Sequence, residues 1–420
     1  MDDVDKFFRE SYYNIIQVLL SVSGLWPYHT TGKRCAIYFA FLLVLGSGMT
    51  FEVLGIIEIW SDSLEVIDCL PMLVLSTVSI SKLICAIYTL PEIRILLTRM
   101  RQYWYSPKSD EETRILLSYA LYGKKLSYVY TGELFLSVCV LLSHTIVFLF
   151  TTLLSKLLYT ESSEDDPSSN VHKQVGLPYY VNYILIDPKN YYVPIFVHVI
   201  ICVISYTILM LTFDVLYMTL IQHCCGLFVA LRYRLENAFE CGNDLQMPAK
   251  NKLYSNIVYS IRRHTEAIQL VHVFVITCHS EAYNNLYFYM YYDRFSLAIE
   301  SIHRIPLFIH VGANISVLSI LGFQVITSTE DVNHLLKHTS YLSALLLNTF
   351  FENWQGQKII DSSEKVYESA YNAEWYKMPI AQKKLFIMIM MKSRKSLKIT
   401  AGNFVNLSYV NFNAVSKTIA

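Results

Sequence analysis

Apolar residues in this chain come in long blocks separated by short charged stretches. A helix needs about 20 mostly apolar residues to cross roughly 30 Å of hydrocarbon. Seven blocks meet that pattern: residues 35–60, 66–90, 126–158, 193–231, 305–327, 332–354 and 404–420. The third and fourth exceed a bilayer and are predicted to continue beyond it as helices. A weaker amphipathic stretch, 12–25, places Ile15, Ile16, Val18, Leu19 and Leu20 ahead of the stop signals Gly24 and Pro27. It is predicted to lie on the membrane surface. The fold class expected is all-α, a seven-transmembrane helical bundle.

Basic residues alternate between the connecting segments. Lys6, Arg9, Lys33 and Arg34 precede the first span, and Glu58, Asp62, Glu65 and Asp68 follow it. The second span is followed by Arg94, Arg99, Arg101, Lys108, Arg114, Lys124 and Lys125, the third by acid-rich sequence around Glu161, Glu164, Asp165 and Asp166. Arg232, Arg234, Lys250, Lys252, Arg262 and Arg263 follow the fourth, and a run of bases from Lys358 to Lys398 follows the sixth. Lys and Arg collect on the cytoplasmic side. The N-terminus is therefore expected in the cytoplasm and the C-terminus outside. G-protein-coupled receptors have seven spans but the opposite orientation, and no DRY-like or NPxxY-like motif is present at the span ends.

Composition narrows the class further. The 420 residues are 54% hydrophobic and 16% charged, acids and bases balance at 34 each, and the mean hydropathy is +0.35. Such a chain is no disordered segment and no basic nucleic-acid binder. The nine cysteines sit mostly in apolar runs, where Cys acts as a small buried hydrophobe, and suggest no disulfide framework. No cleavable signal peptide is visible, so the first span is expected to act as the signal anchor. There is no GxGxxG, GxSxG, HExxH or Walker A pattern, which argues against an enzyme and calls for no cofactor. His223-Cys224-Cys225 is the nearest approach to a metal cluster. Adjacent residues on a helix diverge by about 100°, so ordinary packing is expected there and no metal site. Two acids lie within spans, Glu133 and Asp214. Both are expected to be solvated or paired with bases such as Lys125, ahead of any ligand contact. Lys337 is expected to snorkel. The sequons at Asn314 and Asn406 fall where no glycosylation is expected.

The C-terminal quarter carries an ordered set of motifs: Trp354-Gln355-Gly356, then Glu374-Trp375-Tyr376-Lys377-Met378-Pro379, a Lys-rich amphipathic stretch over 383–391, Ser393-Arg394-Lys395-Ser396-Leu397, Thr400-Ala401-Gly402-Asn403-Phe404, and Phe412 with Lys417. Gly24-Leu25-Trp26-Pro27, Arg263-His264 and Gly322-Phe323-Gln324 extend the set to nearly the whole chain. In this order the motifs resemble those of insect odorant receptors, particularly the expanded hymenopteran kind. The resemblance implies a tuning subunit of an odorant-gated cation channel. It implies a heterotetramer with a shared co-receptor in the plasma membrane of an olfactory neuron dendrite, with membrane lipid around it and no nucleic acid bound. Residues 355–398 would form a cytoplasmic anchor, and the last helix would line the pore with Phe404, Leu407, Ser408, Phe412 and Val415. The related gustatory receptor class, with the same topology and other ligands, remains the alternative. No internal repeats favour a transporter.

An odorant site implied by this resemblance would be apolar and aromatic with few polar anchors. In the outer half of the bundle the candidates are Met72, Ser76, His144, Phe148, Tyr192, Phe196, His198 and Tyr341. For each, bundle packing or lipid contact is the competing role. Two departures from the family pattern stand out. Residues 270–294 read as an insertion or a retained intron, because joining Gln269 to Phe295 restores one helical pattern. Family members also continue past residue 420 to a Ser-Tyr-Phe-like ending that would build the narrowest part of the pore.

Overall fold

The computed structural model describes residues 2–105, 109–158, 179–184, 191–237, 289–327, 332–377, 380–394, 396, 398–402 and 404–419. Its helices are α1 (Asp2–Glu10), α2 (Asn14–Val22), α3 (Thr31–Glu58), α4 (Ser63–Tyr105), α5 (Asp110–Leu158), α6 (Tyr192–Glu236), α7 (Tyr289–Thr327), α8 (Val332–Asn372), α9 (Ile380–Ser393) and α10 (Tyr409–Ile419). A 3-10 turn, Trp375–Lys377, follows α8. A minimal antiparallel hairpin of β1 (Thr400–Ala401) and β2 (Val405–Asn406) precedes α10. Among the described residues, α3, α4, α6 and Leu307–Thr327 of α7 are long and apolar enough to cross a membrane.

α6 is the axis of the bundle. It packs against α2, α3, α4, α5 and α8, and from Leu209 to Leu231 it is buried nearly all round. That arrangement explains a helix whose sequence is oily on every face. α4 outruns the 66–90 block because its continuation stays amphipathic. Ile93, Leu96, Leu97, Met100 and Tyr103 recur at helical spacing and are all buried. α8 likewise runs unbroken through Trp354, so the sixth span and the start of the expected anchor are one helix, with Ile359, Val366 and Ala370 continuing its buried face.

The bundle has two chemically distinct ends. At the acidic end Glu58, Asp62, Glu65 and Asp68 surround the α3–α4 turn, and residues 179–184 lie over it. At the basic end α1 and α2 pack against α4 and α6. The Asp5 carboxylate there accepts hydrogen bonds from Trp26 Nε1 (2.9 Å), Gln17 Nε2 (2.8 Å) and Arg9 (2.9 Å). Trp26 is buried edge-on to Phe8. This is the physical content of the Trp26 motif: an indole whose N–H has a carboxylate partner can bury its whole ring system. An Arg234–Glu112 ion pair ties α6 to α5 at the same end.

One sequence expectation is corrected: the last helix begins at Tyr409, so Phe404 lies in the hairpin turn and Leu407 and Ser408 precede the helix. Asp214 is paired with a base, as expected, and that base is Lys82 rather than Lys125. Asn314 is buried, with its amide 3.4 Å from Thr349 Oγ1. Within the suspected insertion, residues 270–288 lie outside the described residues, and 289–294 form the first turns of α7.

Candidate functional site

Three polar features are buried along the bundle, and α4 and α8 connect them. The first is at the acidic end, between α3, α4 and α6. Glu52 of α3 is only 1% exposed. Its Oε2 lies 3.3 Å from the Ser76 hydroxyl, which also lies 2.8 Å from the Leu73 carbonyl. The Oε1 atom of Glu52 has no hydrogen-bond partner among the described residues. Tyr179, Cys202 and Tyr206 stand within electrostatic reach of this carboxyl. A buried carboxyl oxygen without a partner carries a desolvation cost of about 1–3 kcal/mol or more, so this position holds unspent hydrogen-bonding capacity.

His198 sits in the adjoining layer. Its Nε2 is 3.0 Å from Ser47 Oγ and its Nδ1 2.6 Å from the Tyr183 hydroxyl. Phe51 stacks on Tyr183 with centroids 4.1 Å apart and meets the His198 ring edge-on. The segment 179–184 closes this layer. The Asn182 N–H donates to the Phe51 carbonyl at 3.0 Å, and its side-chain amide donates to Glu58 at 2.7 Å. Burial and the nearby Glu58 carboxylate push the Tyr180 phenol up to about 12 from its ordinary 10, so the segment carries no tyrosinate near neutral pH.

The second feature lies further toward the basic end. Lys82 Nζ of α4 is 3.2 Å from Asp214 Oδ1 of α6, both side chains being 5% exposed. The Tyr130 hydroxyl of α5 donates to Asp214 Oδ2 at 2.7 Å. The Asn348 amide of α8 donates to the Tyr130 oxygen (2.7 Å) and to Asp214 (3.3 Å). On the same side of α8, Glu352 Oε1 is 2.7 Å from His310 Nδ1 of α7. A buried ion pair survives only when further hydrogen bonds satisfy its remaining lone pairs, and Tyr130 and Asn348 supply them.

The third is the seat of the last helix. Asn353 Oδ1 accepts the Ser408 N–H (3.1 Å) and the Asn411 amide (3.0 Å), while its own amide donates to the Thr349 carbonyl (2.8 Å). Ser408 caps α10 through Oγ and the Asn411 N–H at 3.3 Å. Two motif glycines permit this docking. A Cβ at Gly356 would overlap the Leu407 carbonyl, and Gly402, at φ +62°, would place one 2.5 Å from the Phe308 ring.

Of the ligand candidates, Ser76 and His198 join the acidic-end layers. Met72 is buried in the main core and Tyr341 packs against it. Tyr192 and Phe196 stack on each other with centroids 5.9 Å apart. His144 and Phe148 occupy positions of α5 whose side chains lie outside the described residues. Of the pore candidates, Leu407, Ser408 and Val415 are buried within the chain and Phe412 packs edge-on to Phe350. Phe404 is exposed, in the turn. The open face of α10 is instead Val410, Asn413, Ala414 and Lys417. The residues that sequence alone singles out do not include Glu52, Lys82, Tyr130, Asn348 or Asn353. Glu52 and Lys82 carry a legible signal, since each is an ionisable residue inside an apolar block.

The chain matches a family model described as "7tm Odorant receptor" over residues 62–420. Among curated relatives, putative odorant receptor 85d of Drosophila melanogaster is 22% identical over 112 residues, 27% of each chain. Odorant receptor 67a of the same species is 27% identical over 110 residues, 26% of this chain and 27% of the relative. These matches span about a quarter of the relatives' length. Among solved structures, the insect olfactory receptor OR5 from Machilis hrabei in complex with eugenol superposes with a TM-score of 0.66 at 11% identity, covering 96% of this chain and 94% of the other. A second structure of that receptor gives a TM-score of 0.60 at 12% identity, covering 97% of this chain and 95% of the other.

Proposed function

The chain belongs to the 7tm odorant receptor family, and on that premise we propose that this multi-pass membrane protein is the tuning subunit of an odorant-gated cation channel assembled with a co-receptor. The basic end faces the cytoplasm and the acidic end faces outward, a placing that the distribution of Lys and Arg supports. The protein resides in the plasma membrane of a sensory dendrite. An odorant binds at the acidic end, near Glu52, Ser76 and His198, with Met72, Tyr192, Phe196 and Tyr341 as further candidates. The open face of α10 lines the conduction path.

The observation that supports this reading is the row of three buried polar clusters, spaced along α4 and α8 from that end to α10. Ser76 and Lys82 lie six residues apart on α4, about 9 Å along the helix. Lys82, Asp214, Tyr130 and Asn348 are joined by direct contacts. Five residues further along α8, Asn353 holds the start of α10. A ligand that fits one arrangement of α3, α4 and α6 better than another shifts the whole equilibrium by that difference in affinity. No catalysis is needed.

Co-expression with the insect co-receptor tests the proposal. Some member of a broad odorant panel evokes cation current beyond that of the co-receptor alone, and an N-terminal epitope tag stays inaccessible on intact cells. A silent panel in cells with confirmed surface protein contradicts the function, and a surface-accessible N-terminal tag contradicts the orientation.

A further inference from the structure

A cleft of about 480 Å³ opens at the basic end between α5, α6 and α8. Its charged lining is Arg232 of α6 with Lys358, Lys365 and Asp361 of α8, and Ser118, Tyr122 and Ser362 add hydroxyl donors. Three bases outnumber the one acid in the described lining, Asp361, whose Oδ1 accepts from the Gln357 amide at 2.8 Å. Arg232 is oriented by a 2.9 Å hydrogen bond to Ser369 and stands 3.8 Å from Glu236. Lys358 lies 5.8 Å from the Trp354 ring centroid and Lys365 is exposed. Among the described residues, three cations from two helices thus converge on one cavity that one carboxylate, Asp361, also lines, with Glu236 beside Arg232.

We infer that this cleft binds a small soluble molecule carrying two or more phosphate groups. The volume falls in the range of small-molecule sites, about 300–1,000 Å³. A planar guanidinium beside flexible ammonium groups suits phosphate oxygens, and hydroxyls of Ser and Tyr complete the donor set. The cleft's position argues against a lipid headgroup. α6 begins at Tyr192, and Arg232 lies forty residues along it, about 60 Å, roughly twice the hydrocarbon thickness of a bilayer. The soluble class of ligand therefore rests on the cytoplasmic placing of the basic end proposed above. A bound polyanion would relieve repulsion between Arg232, Lys358 and Lys365 and clamp α6 to α8.

The test uses the full chain purified in detergent, titrated calorimetrically with inorganic pyrophosphate and compared with Lys358→Gln/Lys365→Gln, whose side chains are not in the core. Wild type is expected to bind saturably and melt at a higher temperature with ligand, and binding weakens as salt rises. The double variant, melting like wild type without ligand, loses at least tenfold in affinity. Absence of saturable binding, or equal affinity of the variant, overturns the proposal. Binding only to vesicles containing a phosphoinositide, with none to pyrophosphate, also overturns it. Because the assay needs neither an odorant nor a co-receptor, its failure is distinguishable from failure of the receptor reading.

Discussion

Asn353 of α8 holds the residue that precedes α10: its side-chain Oδ1 accepts the Ser408 N–H at 3.1 Å, and Asn353 itself is 1% exposed. The last helix is thereby fixed to the same helix that carries Asn348, one of the donors to the buried Lys82–Asp214 pair. On the receptor reading proposed above, movement of α8 relative to α4 and α6 would reach α10 through a hydrogen bond that bulk water does not compete for.

Asn353→Ala removes that acceptor. Loss of a buried hydrogen bond costs about 1 kcal/mol, roughly a fivefold change in an equilibrium. The half-maximal odorant concentration of the co-expressed channel is expected to shift several-fold at unchanged surface level. Asn353→Asp, which keeps the acceptor, shifts it less. Equal effects of the two substitutions on dose–response curves would remove Asn353 from the transmission path.

Lys82→Met leaves Asp214 buried without its cation. Breaking a buried pair in this way costs about 3–5 kcal/mol, whereas replacing both partners is often close to neutral. The single variant is expected to melt well below wild type in detergent and to reach the surface poorly. Lys82→Met/Asp214→Asn recovers most of both, because Tyr130 and Asn348 retain an acceptor. A double variant as unstable as the single one contradicts this balance.

Glu52 offers a hydrogen-bond acceptor that nothing in the described chain uses. A net hydrogen bond contributes about 0.5–1.5 kcal/mol, or roughly two- to tenfold in affinity. Glu52→Leu is expected to weaken responses to odorants bearing hydroxyl or amine donors several-fold while sparing hydrocarbons. Parallel shifts across a panel of both classes, read as half-maximal concentrations, would give Glu52 a packing role only.

The helical class and the approximate position of the apolar blocks were legible because both depend on local sequence. Helix ends were less so. α4 runs past residue 90 since Ile93, Leu96 and Leu97 find partners that a hydropathy pattern does not display. α10 starts late since Leu407 is drawn into a contact with Gly356 from another helix. The polar network was the least legible part. Asp214 stood out as an intramembrane acid, but its partner is 132 residues away on α4, and tallies of charge between blocks pass over Lys82 and Glu52 inside them. Asn348 and Asn353 carry no charge and become visible only when α8 is placed beside α5 and α10. Leu407 and Val415 read as pore residues by position, yet they face the chain's own core.

The central claim, that this chain is itself part of a cation channel opened by odorant, is tested most directly at Asn413 on the open face of α10. Asn413→Cys co-expressed with the co-receptor should give an odorant-evoked current that a charged thiol-reactive reagent, applied from the outer side, suppresses irreversibly. The same reagent leaves wild type unaffected despite its exposed Cys35 and Cys139. An odorant-evoked current that persists unchanged after demonstrated modification of the introduced thiol would contradict the claim.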